Sequence, residues 1–344
     1  MICIFKKNTN LNAHKTFLAK ILNRVFRHSN RQVVYCHALL SIKRPNMTIT
    51  KTSPQTEWHL ARLYYNDPIV TFLIKSLKPF LDGLATVNIT DRYYWKRSEE
   101  NGRHTQLFIR CSGEIMETVV KPNLIVHFNK YIESKPSVRS SFHDNNFPDN
   151  SLVFNAFLPE ENEWGGPVGL PIAERFFQAS SNAVLQQFST KGEYLNAEQI
   201  LETAIVLHLG FLKATYRHSK DIVALYENLF FNTADEPFFI REFESYFEKQ
   251  NTYLRYFIET TWSTLQDDSL FSDKNYNQWL KDCAFVDRDL KSTYSVRTQS
   301  QLSQLSELWY FYGRLLRFIN NQLGLHGKNE SLFFYILIRS FELM

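Results

Sequence analysis

Tyr93-Tyr-Trp-Lys-Arg97 and Gly102-Arg-His-Thr-Gln-Leu-Phe-Ile-Arg110, separated by the polar turn Ser98–Gly102, read together as one β-hairpin. The predicted strands lie near 91–97 and 105–111. Side chains alternate faces along a strand, so residues 106, 108 and 110 point the same way. Upstream, Trp58–Tyr65 is a further aromatic strand. Asp67-Pro68 then reads as a helix N-cap followed by proline at the first helical position. Leu73, Leu77, Phe80 and Leu81 recur at three-to-four spacing and predict an amphipathic helix over 68–83. Downstream, a helix falls within 120–134, the polar stretch 136–150 is turn-rich, and Leu152–Phe157 is another strand. From Ala173 onward the pattern is helical. Leu254, Phe257, Ile258, Trp262 and Leu265 form one apolar stripe, and Leu305, Trp309, Tyr312, Leu316, Ile319 and Leu323 another. Strands first and helices later give an α+β class. The small sheet, antiparallel or mixed, belongs to the N-terminal half, and the C-terminal half is predominantly helical. Thr190-Lys-Gly-Glu193 marks a lobe boundary within a single domain spanning 47–344.

Composition narrows the function classes. The 29 Phe and 17 Tyr of the 344 residues supply enough apolar area for a compact core. No apolar run approaches the length needed to span a bilayer. The four cysteines and ten histidines show no metal-ligand spacing, and no glycine-rich phosphate loop or dinucleotide fingerprint is present. These readings imply no metal, no cofactor and no membrane partner, and a cytoplasmic chain. Residues 1–46 hold nine Lys/Arg and no acid, so the remaining 298 residues carry 30 basic and 35 acidic groups. A nucleic-acid-binding surface on the main body is therefore not supported. The first 46 residues read as a basic extension, disordered or upstream of the true start, with a basic arm for RNA or membrane as the alternative.

Three separated pieces resemble the elimination domain of lantibiotic dehydratases and its stand-alone, thiopeptide-type bacteriocin relatives. The family has an aromatic strand ending in Arg-Tyr, a turn, and then Gly-Pro-His-Leu-Arg-Leu-Arg. Here Arg97 matches the first arginine and His104 the histidine, while Gln106 and Phe108 replace the two later arginines. The family's Glu-x-x-Arg-Tyr-Gly-Gly is met by Glu160-Glu-Asn-Glu-Trp-Gly-Gly166, with Glu163 reversing the arginine charge and Trp164 replacing tyrosine. Its Glu-x-x-Phe-x-x-Asp-Ser is met by Glu174, Phe177 and Ser181, with Ser180 for aspartate. Its His-Met-x-x-Asn-Arg-Leu helix is met by Arg317-Phe-Ile-Asn-Asn-Gln-Leu323. There Asn321 and Leu323 match, Arg317 replaces the histidine and Gln322 the arginine, and Glu330 follows at the start of the last helix.

The resemblance implies a role in peptide natural-product biosynthesis. Full-motif members eliminate glutamate from a glutamylated Ser or Thr of a precursor peptide, and some relatives join two dehydroalanines into a pyridine ring. Elimination needs a base and a cationic pocket for the leaving glutamate. Arg97, Arg110, Trp164, Arg317 and Asn321 are the implied substrate-binding residues, with Arg97 and Arg110 expected on one concave surface near the Trp164 turn. Arg314, Arg317 and Asn321 share a helix face by spacing. A guanidinium is no general base, so a base would have to be His104, Glu163 or Tyr93. The implied partners are a precursor peptide and a larger glutamylating dehydratase. Two function classes stay open: a divergent eliminase or dehydroamino-acid tailoring enzyme, and a catalytically degenerate subunit that binds the peptide or its glutamylating partner.

Overall fold

The computed structural model describes residues 56–90, 92–138, 147–157, 161–215, 218–232, 239–267, 274–295 and 301–344. The basic segment 1–46 and Glu160 lie outside them. Four antiparallel strands form one sheet in the order β2-β3-β1-β4. They are β1 (Glu57–Tyr64), β2 (Arg92–Ser98), β3 (His104–Cys111) and β4 (Ser151–Asn155). β2 and β3 are the hairpin read in the sequence, and β1 occupies the middle of the sheet through pairing with both β3 and β4.

Two helices belong to the sheet half. The first, α1, runs as Ile69–Phe72, a π-helical turn Leu73–Leu77, and Lys78–Thr86. The second, α2, runs as Gly113–Ile115, a π-helical turn Met116–Val120, and Lys121–Ser134. Thus α2 begins about seven residues before the predicted 120. Ser112 explains the early start, because its hydroxyl accepts from the Ile115 N–H at 3.3 Å. Asp67 does not cap α1; Pro68 holds the N-cap position without a side-chain bond. The Asp67 backbone is held elsewhere, its N–H donating to Ser137 Oγ and its carbonyl accepting from Val138.

Seven helices follow: α3 (Gly166–Lys191), α4 (Ala197–Thr215), α5 (Ser219–Phe231), α6 (Ile240–Gln266), α7 (Lys274–Ser295), α8 (Gln301–Leu323) and α9 (Lys328–Glu342). The apolar stripes of α6 and α8 point inward as their spacing predicts: Leu254, Ile258, Leu265, Tyr312, Leu316, Ile319 and Leu323 are all buried. The chain reverses at Gly192, between α3 and α4, within the predicted lobe boundary.

Strand register assigns the two sheet faces. Ala61, Leu63, Trp95, Leu107 and Ile109 form one fully buried face. Leu60, Arg62, Tyr94, Lys96, Gln106 and Phe108 lie on the other. Strand β2 is an edge, and an edge exposes unpaired backbone groups. Side chains from α3 and α8 close it. The Trp95 N–H donates to Ser181 Oγ at 3.2 Å and its carbonyl accepts from Gln322 Nε2 at 2.7 Å. Asn321 pairs both ways with Arg97, accepting from its N–H at 2.8 Å and donating to its carbonyl at 3.0 Å. The helical half is thereby joined to the sheet as a substitute strand would be.

Candidate active-site cavity

The face of the sheet bearing Tyr94 and Phe108 forms one wall of a cavity of about 340 Å³. Helices α3 and α8 supply Phe177 and Phe318, stacked at 4.1 Å, and the turn before α3 supplies Trp164. Tyr94 stacks on Phe108 at 4.3 Å, and Phe157 meets Phe108 edge-on. The interior is thus aromatic, and polar groups gather toward one end: Arg62, Lys96, Arg97, Glu100, Gln106 and Asn321. A second cavity of about 310 Å³ lies against α1, α3 and α7. Of the sequence-predicted residues only Tyr93 borders it. Tyr93 donates to Asn182 Oδ1 at 2.6 Å, and burial pushes its hydroxyl well above the ordinary range. That cavity does not gather the motif residues, so the aromatic one is the candidate site.

Trp164 is held on three sides. It meets Phe177 and Phe311 edge-on at 4.7 and 5.8 Å, and the Arg314 guanidinium lies 4.4 Å over its ring. Arg314 also pairs with the Glu163 carboxylate and donates to the Glu163 carbonyl. The reversed charge at 163 therefore faces a cation supplied by α8, at the cavity rim. The backbone turns at Gly165, in the left-handed region at φ 74°, where a Cβ would collide with the Tyr294 hydroxyl.

The predicted arginines do not converge. Register places Arg110 opposite Arg92 and Tyr94 opposite Phe108, so Arg97 belongs to the other face from Arg110. The expectation of a shared concave surface is overturned by this alternation. Arg97 borders the cavity from the edge strand. Its Nε donates to the Gln322 carbonyl at 3.0 Å, at the C-terminal end of α8, where a cation is favoured. Burial lowers its guanidinium to about 10. Gly324 makes room for it, since a Cβ there would lie 2.6 Å from the guanidinium. Arg110 instead acts electrostatically on Glu174 of α3, a buried carboxyl that also feels the charge of Arg92 and is hydrogen-bonded to Trp58. Burial raises the Glu174 carboxyl, and Arg110, Trp58 and Arg92 oppose that shift.

Arg317 lies outside the cavity lining. Its guanidinium donates to the Leu229 carbonyl at 3.2 Å, in the last turn of α5, and faces Glu330. The three residues grouped by helical spacing, Arg314, Arg317 and Asn321, therefore serve three separate places: the Trp164 turn, the end of α5 and the edge of β2.

His104 sits on the cavity-facing side of β3 but packs against the tilted Tyr64 ring at 4.7 Å and is 4% exposed. Its Nδ1–H donates to the Gly102 carbonyl at 2.7 Å, which leaves an unprotonated Nε2 buried without a partner. Burial pushes this imidazole below its ordinary value; the bond to Gly102 opposes the shift and Arg62 adds to it. Sequence reading missed Arg62. It stands directly opposite Gln106 in the β1–β3 register, so it shares the volume into which a longer side chain at 106 would reach. Only the register of β1, set by long-range pairing, reveals this.

The comparisons agree with this architecture. The chain matches the family described as lantibiotic biosynthesis dehydratase, C-terminal, over residues 58–341. No match was found among curated proteins. Among solved structures, it is similar to TbtD, the pyridine synthase from thiomuracin biosynthesis, with TM-score 0.69 and 12% identity over 83% of this chain and 99% of that one. It is similar to the tRNA-dependent lantibiotic dehydratase MibB from Microbispora sp. 107891, with TM-score 0.61 and 14% identity over 86% of this chain and 28% of that one. TsrL follows with TM-score 0.59 and 15% identity, over 84% of this chain and 95% of that one. At these identities the structural likeness establishes the fold, and the match over 58–341 establishes the kinship: the chain belongs to the lantibiotic biosynthesis dehydratase C-terminal family, in the biosynthesis of ribosomally made peptide natural products.

Proposed function

We propose that this protein receives a side chain of a modified precursor peptide in the aromatic cavity and does not eliminate glutamate by the histidine route of its family. The observation that carries the reading is the cavity wall itself. Gln106 and Phe108 stand where the resembled motif has arginines, and Arg317, in the place of the helix histidine, is spent on the end of α5. The walls suit an apolar or aromatic segment, with an acidic group directed to the Arg62–Lys96 end. A larger glutamylating dehydratase in the same cytoplasm supplies such a peptide and is the partner this role requires.

A single-turnover assay tests the reading. The isolated protein is mixed with a peptide carrying one O-glutamyl serine, and binding and mass are followed together. Binding without conversion is expected, because removal of a positioned proton carrier costs on the order of 10²–10⁴ in rate. Prompt stoichiometric conversion to dehydroalanine would overturn it. One observation favours a second reading, that of a divergent enzyme: the bare Nε2 of His104 is the form a general base requires. In that case conversion would be seen and would vanish in His104→Asn.

A further inference from the structure

The cation that faces the cavity on the sheet is Arg62, and its bonding is incomplete. Its Nε is buried without an acceptor. Its ion-pair partner is Glu100, whose carboxylate lies 3.8 Å from Nη2, beyond hydrogen-bond reach. Glu100 stands on the exposed turn between β2 and β3, with its side chain 67% exposed against 17% for Arg62. It is the acid among the cavity-lining residues. The other two cations there are engaged: Arg97 with the end of α8, and Lys96 over the Phe108 ring at 5.8 Å. Around Arg62, two further buried polar atoms on the same sheet face also lack partners, Tyr64 Oη and His104 Nε2. A guanidinium with an unused donor, beside other unpartnered polar atoms and under a loosely placed carboxylate, has donor capacity for a better-placed acid.

We propose that Arg62 is the carboxylate-binding residue of the cavity and that Glu100 holds its place there, leaving when an acidic side chain enters. The inference rests on the cavity reading above and names its specificity-determining contact. A planar guanidinium holds a carboxylate through two parallel bonds, and the Gln106 amide opposite can donate to the same oxygens. Glu100 forms no such geometry. Tethered on a turn and mostly solvated, it contributes little by staying. It also sharpens discrimination, since an incoming carboxylate can take two charge-assisted bonds from Arg62, whereas a neutral amide takes one weaker bond through its carbonyl.

The test compares N-acetyl-glutamate with N-acetyl-glutamine by calorimetric titration, and the glutamylated peptide with its glutamine-ester counterpart in parallel. Wild-type protein should prefer each acid by about tenfold. Glu100→Gln should tighten the acids by roughly threefold to tenfold and leave the amides unchanged, because only the acids compete with the tethered carboxylate. Glu99→Gln removes the same charge one residue away, where Glu99 pairs with Arg103 at 3.2 Å, and should change nothing. Arg62→Lys should keep part of the preference, and Arg62→Gln, checked for an unaltered melting temperature, should lose it. Equal affinity for acid and amide in wild type overturns the proposal, as does equal tightening by Glu99→Gln and Glu100→Gln. If Arg62→Gln fails to fold, the Glu100 arm decides alone. Peptide binding that ignores the acid-to-amide change sinks this proposal and leaves the peptide-binding reading standing. Discrimination between the small probes with no peptide binding does the reverse.

Discussion

Asn321 was legible as a motif residue and not legible in its role. In the sequence it looks like a substrate contact; in the fold its amide completes the backbone of Arg97, accepting and donating at once. Replacement by alanine leaves a half-buried N–H and a half-buried C=O unpaired at a sheet edge, each costing roughly 1–2 kcal/mol. Asn321→Ala is therefore expected to destabilise the protein by about 2–4 kcal/mol in urea unfolding. Asn321→Asp keeps the acceptor and loses the donor, so it should fall between wild type and alanine. Ser181 and Gln322 share this duty, since Gln322 Nε2 bonds both Ser181 Oγ and the Trp95 carbonyl. The residues that match the family pattern here, Ser181 and Asn321, hold the sheet to the helices. Two that depart from it, Gln106 and Phe108, face the cavity. Sequence spacing cannot separate these classes, because a side-chain amide closing a strand edge and one contacting a ligand look alike until the edge is known.

At the scale of elements, the hairpin, the first strand and the helical stripes were readable because period-two and three-to-four patterns report burial directly. The π-helical turns at Leu73–Leu77 and Met116–Val120 were not, since one added residue in a turn barely alters an apolar stripe. Nor was the start of α3 at Gly166, seven residues before the predicted 173, because Gly165 to Pro171 reads as breakers. The turn works through conformation. Gly165 and Gly166 both have positive φ, 74° and 70°, but only Gly165 is pressed against another group, the Tyr294 hydroxyl of α7. Gly166→Ala should thus cost only the left-handed backbone term, about 1 kcal/mol. Gly165→Ala adds the collision and should cost more, roughly 2–3 kcal/mol, with part recovered when combined with Tyr294→Phe. Equal losses for the two alanine variants would show that Tyr294 yields freely.

On the scale of the whole molecule, a buried polar chain crosses the helical half and links four helices. Tyr226 of α5 donates to His208 Nδ1 at 2.9 Å, His208 Nε2–H donates to Asn320 Oδ1 at 2.9 Å, and Asn320 Nδ2 donates to Glu330 Oε1 at 3.0 Å. Arg317 faces the Glu330 carboxyl at the far end. This arrangement fixes His208 as the neutral tautomer with its proton on Nε2, so both ring nitrogens are satisfied without charge. Burial lowers its pKa to about 3, against roughly 6.5 in an unfolded chain. The sign follows from proton counting: between those values the unfolded chain binds the extra proton and the folded protein does not. The contribution of His208 is complete above about pH 6.5 and is lost as pH falls toward 3, at up to about 1.4 kcal/mol per pH unit. Glu330 acts oppositely, because burial raises its carboxyl; its contribution is present below the unfolded value near 4.3 and is lost as pH rises through the folded one. From 6.5 down to about 4.5 the two oppose each other: the histidine loses stability as pH falls, while Glu330, ionised in the unfolded chain and held toward its protonated form by burial, offsets part of that loss. Wild-type stability should fall across that window, less steeply than the histidine alone would impose. His208→Gln, which retains an amide donor toward Asn320, should start less stable at pH 7.5 and show a markedly flatter decline. Parallel pH curves for the two proteins, measured by urea unfolding, would place the acid sensitivity outside this chain and in the other burial-lowered histidines, His104, His127 and His326.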